Sequence, residues 1–378
     1  MRSRPAQTPA ARALAVLLTS FVGAVAACSS EGGGASPSPA SDAGAGADGG
    51  GGADGGGGGG DAGVDAAPSR ASLVAVFDLP RTADTQGLSS TYFDEAGGFL
   101  YALSDITPRI TPIEPSKDWK TWTPRPPLDL VGRPGATWDG EGLTRVGGRF
   151  VAVTVETTPT VETFDDKGTF QEAVPIPAIY TNQRAGNKGL ESLTSSPDGA
   201  FLFTANEQAL VPDGPAPTKT AGTTVRILRR EVATGATIQV AYRTEPLGAG
   251  AGGDMRVSEL AALSPTRLLV LERGFQSDVG NTVRIFAVDL AGAPDVSGSP
   301  GLAADVAVVP KKLVVDLGTL PDAGVTHPGT QTNKLLDNYE SLSIGPTLPD
   351  GRRLLFVTSD DNAQAIQVAR ILVIAVEL

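Results

Sequence analysis

The residues of this chain best suited to chemistry are carboxylates that recur at one place in a repeated phrase. The phrase is an acid, any residue, then Leu or a small residue: Glu141-Gly142-Leu143, Glu191-Ser192-Leu193, Glu259-Leu260-Ala261 and Glu340-Ser341-Leu342. Gln86-Gly87-Leu88 is a fifth copy, with an amide for the acid. After each phrase comes a turn, then a strand closing on a second acid: Asp105, Glu156, Glu207, Glu272 and Asp360, the last followed by Asp361 and Asn362. Carboxylates brought close together repel one another unless they are paired or neutralised. A hard cation with oxygen ligands, calcium above all, neutralises them well. A softer metal is disfavoured, because beyond Cys28 the chain has no cysteine and only one histidine, His327. A cation held this way could activate water for hydrolysis. The competing reading is salt bridging, since Arg145, Arg226, Arg273 and Arg284 lie near enough in the repeat to reach neighbouring acids.

The elements that must position these acids are short strands. Gly97-Gly98, Gly147-Gly148, Pro197-Asp198-Gly199 and Pro349-Asp350-Gly351 are hairpin turns between them. Self-similarity at roughly 40–50 residues, built from short strands, is the signature of a β-propeller. The innermost strand of each propeller blade lines the central channel, so a residue repeated at one place on it repeats around the axis. The expected fold is therefore an all-β propeller whose mouth carries Gln86, Glu141, Glu191, Glu259 and Glu340. The closing acids would form an outer tier.

Outer strands are readable too. Gly222 to Leu228 is echoed by Gly280 to Phe286, and return strands are expected at Thr237 to Tyr242 and Lys312 to Leu317. The second blade has Thr160 to Phe164 and Thr169 to Val174; the first, least regular, has Trp119 to Trp122 and Leu128 to Val131. Five inner pairs thus find five outer sets. Five blades are expected, with six as the alternative if the irregular 290–338 span holds another. The first strand (Ser72 to Leu79) and the last (Val368 to Val376) should pair and close the ring, which removes the exposed edge.

Ahead of the ring, residues 1–27 read as an export signal, with Arg2, Arg4 and Arg12 before an apolar run and Ala26-Ala27 before Cys28. Val25-Ala26-Ala27-Cys28 resembles a bacterial lipobox, which implies lipidation of Cys28 and a stable membrane anchor. Residues 28–68 are then the lipidated cysteine and a Gly/Ala/Asp linker too polar to fold, reaching ~35 Å as a flexible coil. Residues 69–378 form the propeller head. Taking the three signal arginines and the six linker acids from the formal −12 leaves −9 on the head. That charge argues against nucleic acid and against anionic lipid as partners, so the membrane is met through the anchor alone. The expected setting is the cell envelope, at the outer membrane or the periplasmic face, and the expected state is a monomer.

Other catalytic devices are excluded. Ser341-Leu342-Ser343-Ile344-Gly345 lacks the first glycine of a nucleophile elbow, and no P-loop is present. A Ser-His-Asp triad would have only His327 as its base, and Thr326-His327-Pro328 reads as a surface loop.

Several phrases together resemble the bacterial phytase-like domain family, described as esterase-like activity of phytase. They are Asp139-Gly140-Glu141-Gly142-Leu143, Asn187-Lys188-Gly189-Leu190-Glu191-Ser192-Leu193, Phe203-Thr204-Ala205-Asn206-Glu207, Ser258-Glu259-Leu260-Ala261, Leu271-Glu272-Arg273-Gly274-Phe275, Asn338-Tyr339-Glu340-Ser341-Leu342 and Ser359-Asp360-Asp361-Asn362. The resemblance covers residues 74–376. It implies an exported propeller with calcium as cofactor on Glu141, Glu191, Glu259, Glu340, Asp105, Glu207, Glu272 and Asp360, the four glutamates activating water. Lys188, Arg273, Asn206 and Asn362 are then candidate contacts for a small-molecule ester or phosphoester, with Arg145 a further cation. Two classes stay open: a calcium-dependent hydrolase, with a lactonase-like propeller as a variant, and a non-catalytic propeller that binds a ligand or partner.

Overall fold

The computed structural model describes residues 71–156 and 158–378. The expected signal, the Cys28 lipidation site and the linker lie outside the described residues. The chain folds as five antiparallel sheets arranged as the blades of a propeller.

Blade 5 joins both ends of the described chain: β1 (Ala71–Asp78) lies outside β21 (Arg370–Val376), which follows β20 (Arg353–Ser359) and the innermost β19 (Tyr339–Thr347). Blade 1 runs outward as β2 (Leu88–Asp94), β3 (Phe99–Ser104), β4 (Arg109–Pro115) and β5 (Trp122–Pro124), with β6 (Leu128–Asp129) also on β4. Blade 2 is β7 (Gly142–Val146), β8 (Arg149–Val155), β9 (Thr160–Phe164) and β10 (Phe170–Val174). After α1 (Ala178–Asn182), blade 3 is β11 (Thr194–Ser195), β12 (Phe201–Ala205), β13 (Thr224–Glu231) and β14 (Thr237–Arg243). Blade 4 is β15 (Asp254–Ala262), β16 (Arg267–Gln276), β17 (Gly280–Asp289) and β18 (Lys311–Asp316).

The hydrophobic cores lie between blades. Leu103, Ile110, Leu143, Phe150 and Phe164 pack blade 1 on blade 2, and Val151, Val153, Leu193, Leu202 and Leu228 pack blade 2 on blade 3. Further clusters join blades 3 and 4, 4 and 5, and 5 and 1. Strand alternation supplies this pattern, since each sheet offers apolar side chains to both neighbours. At the β7–β8 hairpin, Gly147 and Gly148 both have positive φ (57° and 83°), as a two-residue turn matched to strand twist requires.

The ring closes as expected, in register from Ala71↔Val376 to Asp78↔Arg370. Arg370, with 0% of its surface exposed, locks the seam. It forks onto Asp78 (2.5 and 3.0 Å) and donates to the carbonyls of Lys334 (2.7 Å) and Thr326 (2.9 Å).

Two expectations need correcting. The third strand of blade 1 is Arg109–Pro115, and Trp119 sits in the turn after it at φ 63°. Pro112 and Pro115 hide this strand in the sequence, because prolines usually demote a run. The 290–338 span holds no sixth blade. Its first half folds over blade 3: Val296 N–H donates to Gln239 O (2.8 Å), Val309 N–H to Ala241 O (3.0 Å), and buried Arg226 donates to Val296 O and Ser299 O.

Candidate metal centre

Every inner strand starts, and every second strand ends, at the same end of the channel. Backbone bonds fix the acids there: Asp105 N–H to Gly87 O (2.8 Å), Asp139 N–H to Thr154 O (3.1 Å), Glu141 N–H to Val153 O (3.0 Å), Glu191 N–H to Ala205 O (3.1 Å), Glu207 N–H to Gly189 O (3.0 Å) and Asp360 N–H to Asn338 O (2.9 Å). Two groups of three carboxylates form. One oxygen each from Asp139, Glu141 and Glu156 lie within 4.8 Å of one another, and the same holds for Glu156, Glu191 and Glu207. Asp105, Glu340 and Asp360 stand at the same mouth, near enough to perturb one another, and Glu340 also acts on Glu141 and Glu191.

Among the described residues Lys188, Arg256 and Arg273 reach acids of the mouth, and Arg81 pairs with Asp361 beside it (3.5 Å). Lys188 Nζ lies 3.2 Å from Glu207 and 3.6 Å from Asp254; Arg256 Nη1 lies 2.8 Å from Glu207 and its other arm binds Asp254. Arg273 donates to Glu340 (2.7 Å), to Asn338 and to Ser258 Oγ (3.3 Å). Glu156 has only the Gly189 N–H (2.9 Å) and its carboxylate neighbours. Glu191, a residue 5% exposed, points into the cluster with no side-chain hydrogen bond or ion pair at bonding distance among the described residues, and the charge of Arg256 offsets part of its crowding.

Charge crowding shows in the proton affinities. Burial, then Glu340 and Asp139, push Asp105 up to about 7. Burial, then Glu207, push Glu156 up to about 8. Glu141, Glu191 and Asp360 lie well above the usual carboxylate range, first through burial and then through their acidic neighbours. Burial alone would lower the Arg256 guanidinium, but Glu207, Glu191, Asp254 and Glu340 more than offset it.

Two predicted ligands stand elsewhere. Glu259, 1% exposed, turns into the channel interior, where it accepts from Ser90 Oγ (2.5 Å), Leu193 N–H (3.0 Å) and Leu260 N–H (2.9 Å). The cause is a one-residue slip. In blade 5 the bulged residue between Tyr339↔Ser359 and Ser341↔Thr358 is Glu340; in blade 4 the bulged residue between Val257↔Glu272 and Glu259↔Leu271 is Ser258. Glu259 therefore matches Ser341, and a shift of one residue sends the side chain to the other face. Blade 1 bulges at Ser89, so Gln86 is not the equivalent position there.

The same slip moves Glu272 away from the mouth, to Lys311 (2.6 Å), Tyr242 OH and Glu245 N–H (2.8 Å). In its stead blade 4 brings Arg273 and Arg256, which pair across β15 and β16. Asn206 is fully buried and spends its side chain on Gln208 O and Arg226 N–H, so it is not open to substrate; Asn362 is exposed at the acidic end. Of the four arginines weighed as acid partners, only Arg273 meets a ring acid. Arg145, Arg226 and Arg284 bind Asp94, Asp213 and Asp316. His327 is not at the surface: its side chain is 1% exposed, with Nε2 2.9 Å from Asp337 and Nδ1 accepting from Gly329 N–H.

Asp139, Asp254 and Arg256 belong to the mouth and were not foreseen. Asp139 was visible two residues before Glu141, and Arg256 becomes visible once the blade 4 phrase is moved by one residue.

The cluster fits a hard cation. Oxygens no more than 4.8 Å apart can share one ion at the 2.3–2.6 Å typical of calcium. An all-oxygen donor set excludes preference for a soft metal. The opposite mouth is different in kind: a cavity of about 820 Å³ floored by Leu143, Leu193, Leu260 and Leu342 and walled by Thr144, Ser195 and Ser343.

Residues 83–363 match a family model described as "Phytase-like: Esterase-like activity of phytase". No curated protein matches the chain. Among solved structures, the chain is similar to the periplasmic gluconolactonase of Pseudomonas aeruginosa (15% identity, TM-score 0.37, 78% of this chain and 87% of that one). It is also similar to an endo-arabinase from Bacteroides thetaiotaomicron (13% identity, TM-score 0.43, 78% and 96%). A third likeness is to a protein from Lactobacillus plantarum (15% identity, TM-score 0.35, 72% and 64%), of whose length the chain spans less than two thirds.

Proposed function

The chain belongs to the phytase-like family, and on that premise we propose that it is a hydrolase of phosphoesters or other esters that works at the acidic mouth with calcium as cofactor. The observation that carries this reading is Asp105 Oδ1, a buried carboxylate oxygen with no hydrogen bond among the described residues, at a mouth where the Asp139/Glu141/Glu156 and Glu156/Glu191/Glu207 carboxylates crowd together. Burying such a group costs several kcal/mol unless something compensates it.

Glu141, Glu156, Glu191 and Glu207, with Asp139, would hold the ion. Calcium bound there would supply Lewis acidity, polarising an ester oxygen and making water more acidic. Asp105, near 7, is poised to take or return a proton at neutral pH. Lys188, Arg256 and Arg273 present positive charge to an anionic oxygen of the substrate. One observation favours the non-catalytic alternative, a ligand-binding propeller: the donors of Arg256 and Arg273 are already taken by acids and amides of the protein.

The deciding experiment assays the full chain on a chromogenic phosphate ester and a chromogenic acyl ester, with calcium and with chelator. The proposal expects turnover that chelator abolishes and that Glu191→Gln lowers by ~100-fold or more while the fold is kept. Turnover indifferent to both would refute it. The proposal extends to a monomeric head anchored in the cell envelope through Cys28; Cys28→Ala should then release the protein from membranes, and retention there would refute the anchor.

A further inference from the structure

We propose that the leucine-floored cavity at the opposite mouth is a second binding site, and that it takes a small amphiphilic acid, with its apolar chain on the leucines and its carboxylate at an arginine rim. This site does not depend on what the acidic mouth does.

The floor is held from within the channel. Glu259 accepts from the N–H groups of Leu193 (3.0 Å) and Leu260 (2.9 Å). Ser90 Oγ donates to Glu259 (2.5 Å) and accepts from Leu143 N–H (3.0 Å). Three of the four floor leucines, from three blades, are thus tied to one buried carboxyl and its hydroxyl partner. None of the mouth acids lines the cavity. Beside the leucines the walls keep apolar surface open: Tyr92, Val146, Leu263 and Ile344, from blades 1, 2, 4 and 5, are each only half-buried. A methylene chain laid against them would take that surface out of water. At about 820 Å³ the space falls within the ~300–1,000 Å³ of small-molecule sites.

The rim selects the head group. Arg145, Arg267 and Arg353 all line it. Arg267 is exposed, and its guanidinium has no hydrogen bond or ion pair among the described residues. Arg145 and Arg353 spend Nη1 on Asp94 (3.0 Å) and Thr347 Oγ1 (2.9 Å), and each keeps an Nε with no acceptor. The rim acids leave Arg267 alone. Asp198 turns to its own hairpin, accepting from Ser196 Oγ (2.5 Å) and Ala200 N–H (3.1 Å), and Glu95 lies 3.6 Å from Arg353. The Leu378 carboxylate, also at the rim, pairs with none of the three arginines. A carboxylate matches the planar fork of a guanidinium and would complete this set. A neutral amphiphile would leave Arg267 unmatched, and a cationic one would be repelled by it.

The test is calorimetric titration of the full chain with octanoate, octan-1-ol and octylammonium. Chelator is present, so that no cation at the acidic mouth draws the acid there. Octanoate should bind once per chain with a millimolar or tighter Kd, ~10-fold or more ahead of the alcohol and the amine. Arg267→Ala should weaken octanoate by ~10-fold or more. Val146→Trp, which fills the cavity from a half-buried wall, should abolish binding, and melting temperatures report whether both variants stay folded. If Val146→Trp does not fold, Arg267→Ala decides alone, because the Arg267 guanidinium holds nothing in the fold. Glu191→Gln, at the acidic mouth, should leave octanoate binding unchanged. No binding at ~10 mM octanoate, equal binding of the alcohol, or indifference to Arg267→Ala would each overturn the proposal. So would loss of binding in Glu191→Gln, which would move the acid to the other mouth. Ester turnover at the acidic mouth, present or absent, bears on neither result.

Discussion

In a chelating buffer the head should become less stable as pH rises through neutrality, and calcium should reverse that trend. Glu156 stands at about 8 in the fold, against 4.5 for the free side chain. Below about pH 4.5 both folded and unfolded chains hold this proton, and the group is neutral to stability. Above it the unfolded chain gives up the proton while the fold keeps it. Each pH unit then costs ~1.4 kcal/mol until the folded value is passed. Between about pH 5.5 and 7.0 Glu156 alone removes ~2 kcal/mol. At 2–4 °C per kcal/mol, a scale for domains somewhat smaller than this one, the melting temperature should fall by about 4–8 °C. Asp105, raised to about 7, acts in the same direction over a window that ends one unit lower. The two sites belong to one network of interacting charges, so their effects should not simply add. With calcium in excess the carboxylates ionise onto the cation, and binding strengthens with pH. Thermal melts in chelator and in calcium, at several pH values across this window, measure both slopes. A melting temperature that is level or rising in chelator would refute the reasoning, as would identical slopes in the two buffers. Glu156→Gln should flatten the chelator slope by ~1.4 kcal/mol per unit.

Three further outcomes can be checked by urea denaturation. Glu259→Leu leaves the Leu193 and Leu260 N–H groups without an acceptor and should cost ~2–6 kcal/mol, whereas isosteric Glu259→Gln should cost ~1 kcal/mol or less. Gly87→Ala would place a Cβ 2.0 Å from Asp105 Oδ1 at a φ of +61°; a loss of ~1–3 kcal/mol is expected, together with a weaker stability response to calcium. Arg370→Ala opens the seam, stripping Asp78 of its partner and two carbonyls of their donor, and should cost on the order of 3 kcal/mol.

The ring was legible because each blade repeats its own turn chemistry and alternation, and because the first strand has no hairpin partner directly after it. The acidic end was legible for the same reason: Glu141, Glu191 and Glu340 keep one position in the repeat. What stayed hidden depends on register. Glu259-Leu260-Ala261 satisfies the phrase, yet the structurally equivalent triplet is Ser258-Glu259-Leu260, and only the bulge at Ser258 reveals it. That choice sent Glu259 inward, Glu272 sideways, and Arg256 and Arg273 to the mouth. The strand at Arg109–Pro115 was masked by its prolines, although Ile110 and Ile113 are fully buried. His327 read as a loop residue because its partner, Asp337, is ten residues on and nothing local announces the contact.

The way β1 enters the ring fixes which end of the channel Ala71 meets. Ala71 sits against Val376, which also pairs with Arg353 on the rim of the 820 Å³ cavity, while Asp78 and Arg370 mark the acidic side. Ala71 therefore lies at the leucine-floored end. Immobilised by that end on a bead, a bilayer or a sensor chip, the protein would hold its carboxylates toward the bulk solution and its cavity toward the support. Solutes would reach the first freely, and only something sharing the support would meet the second.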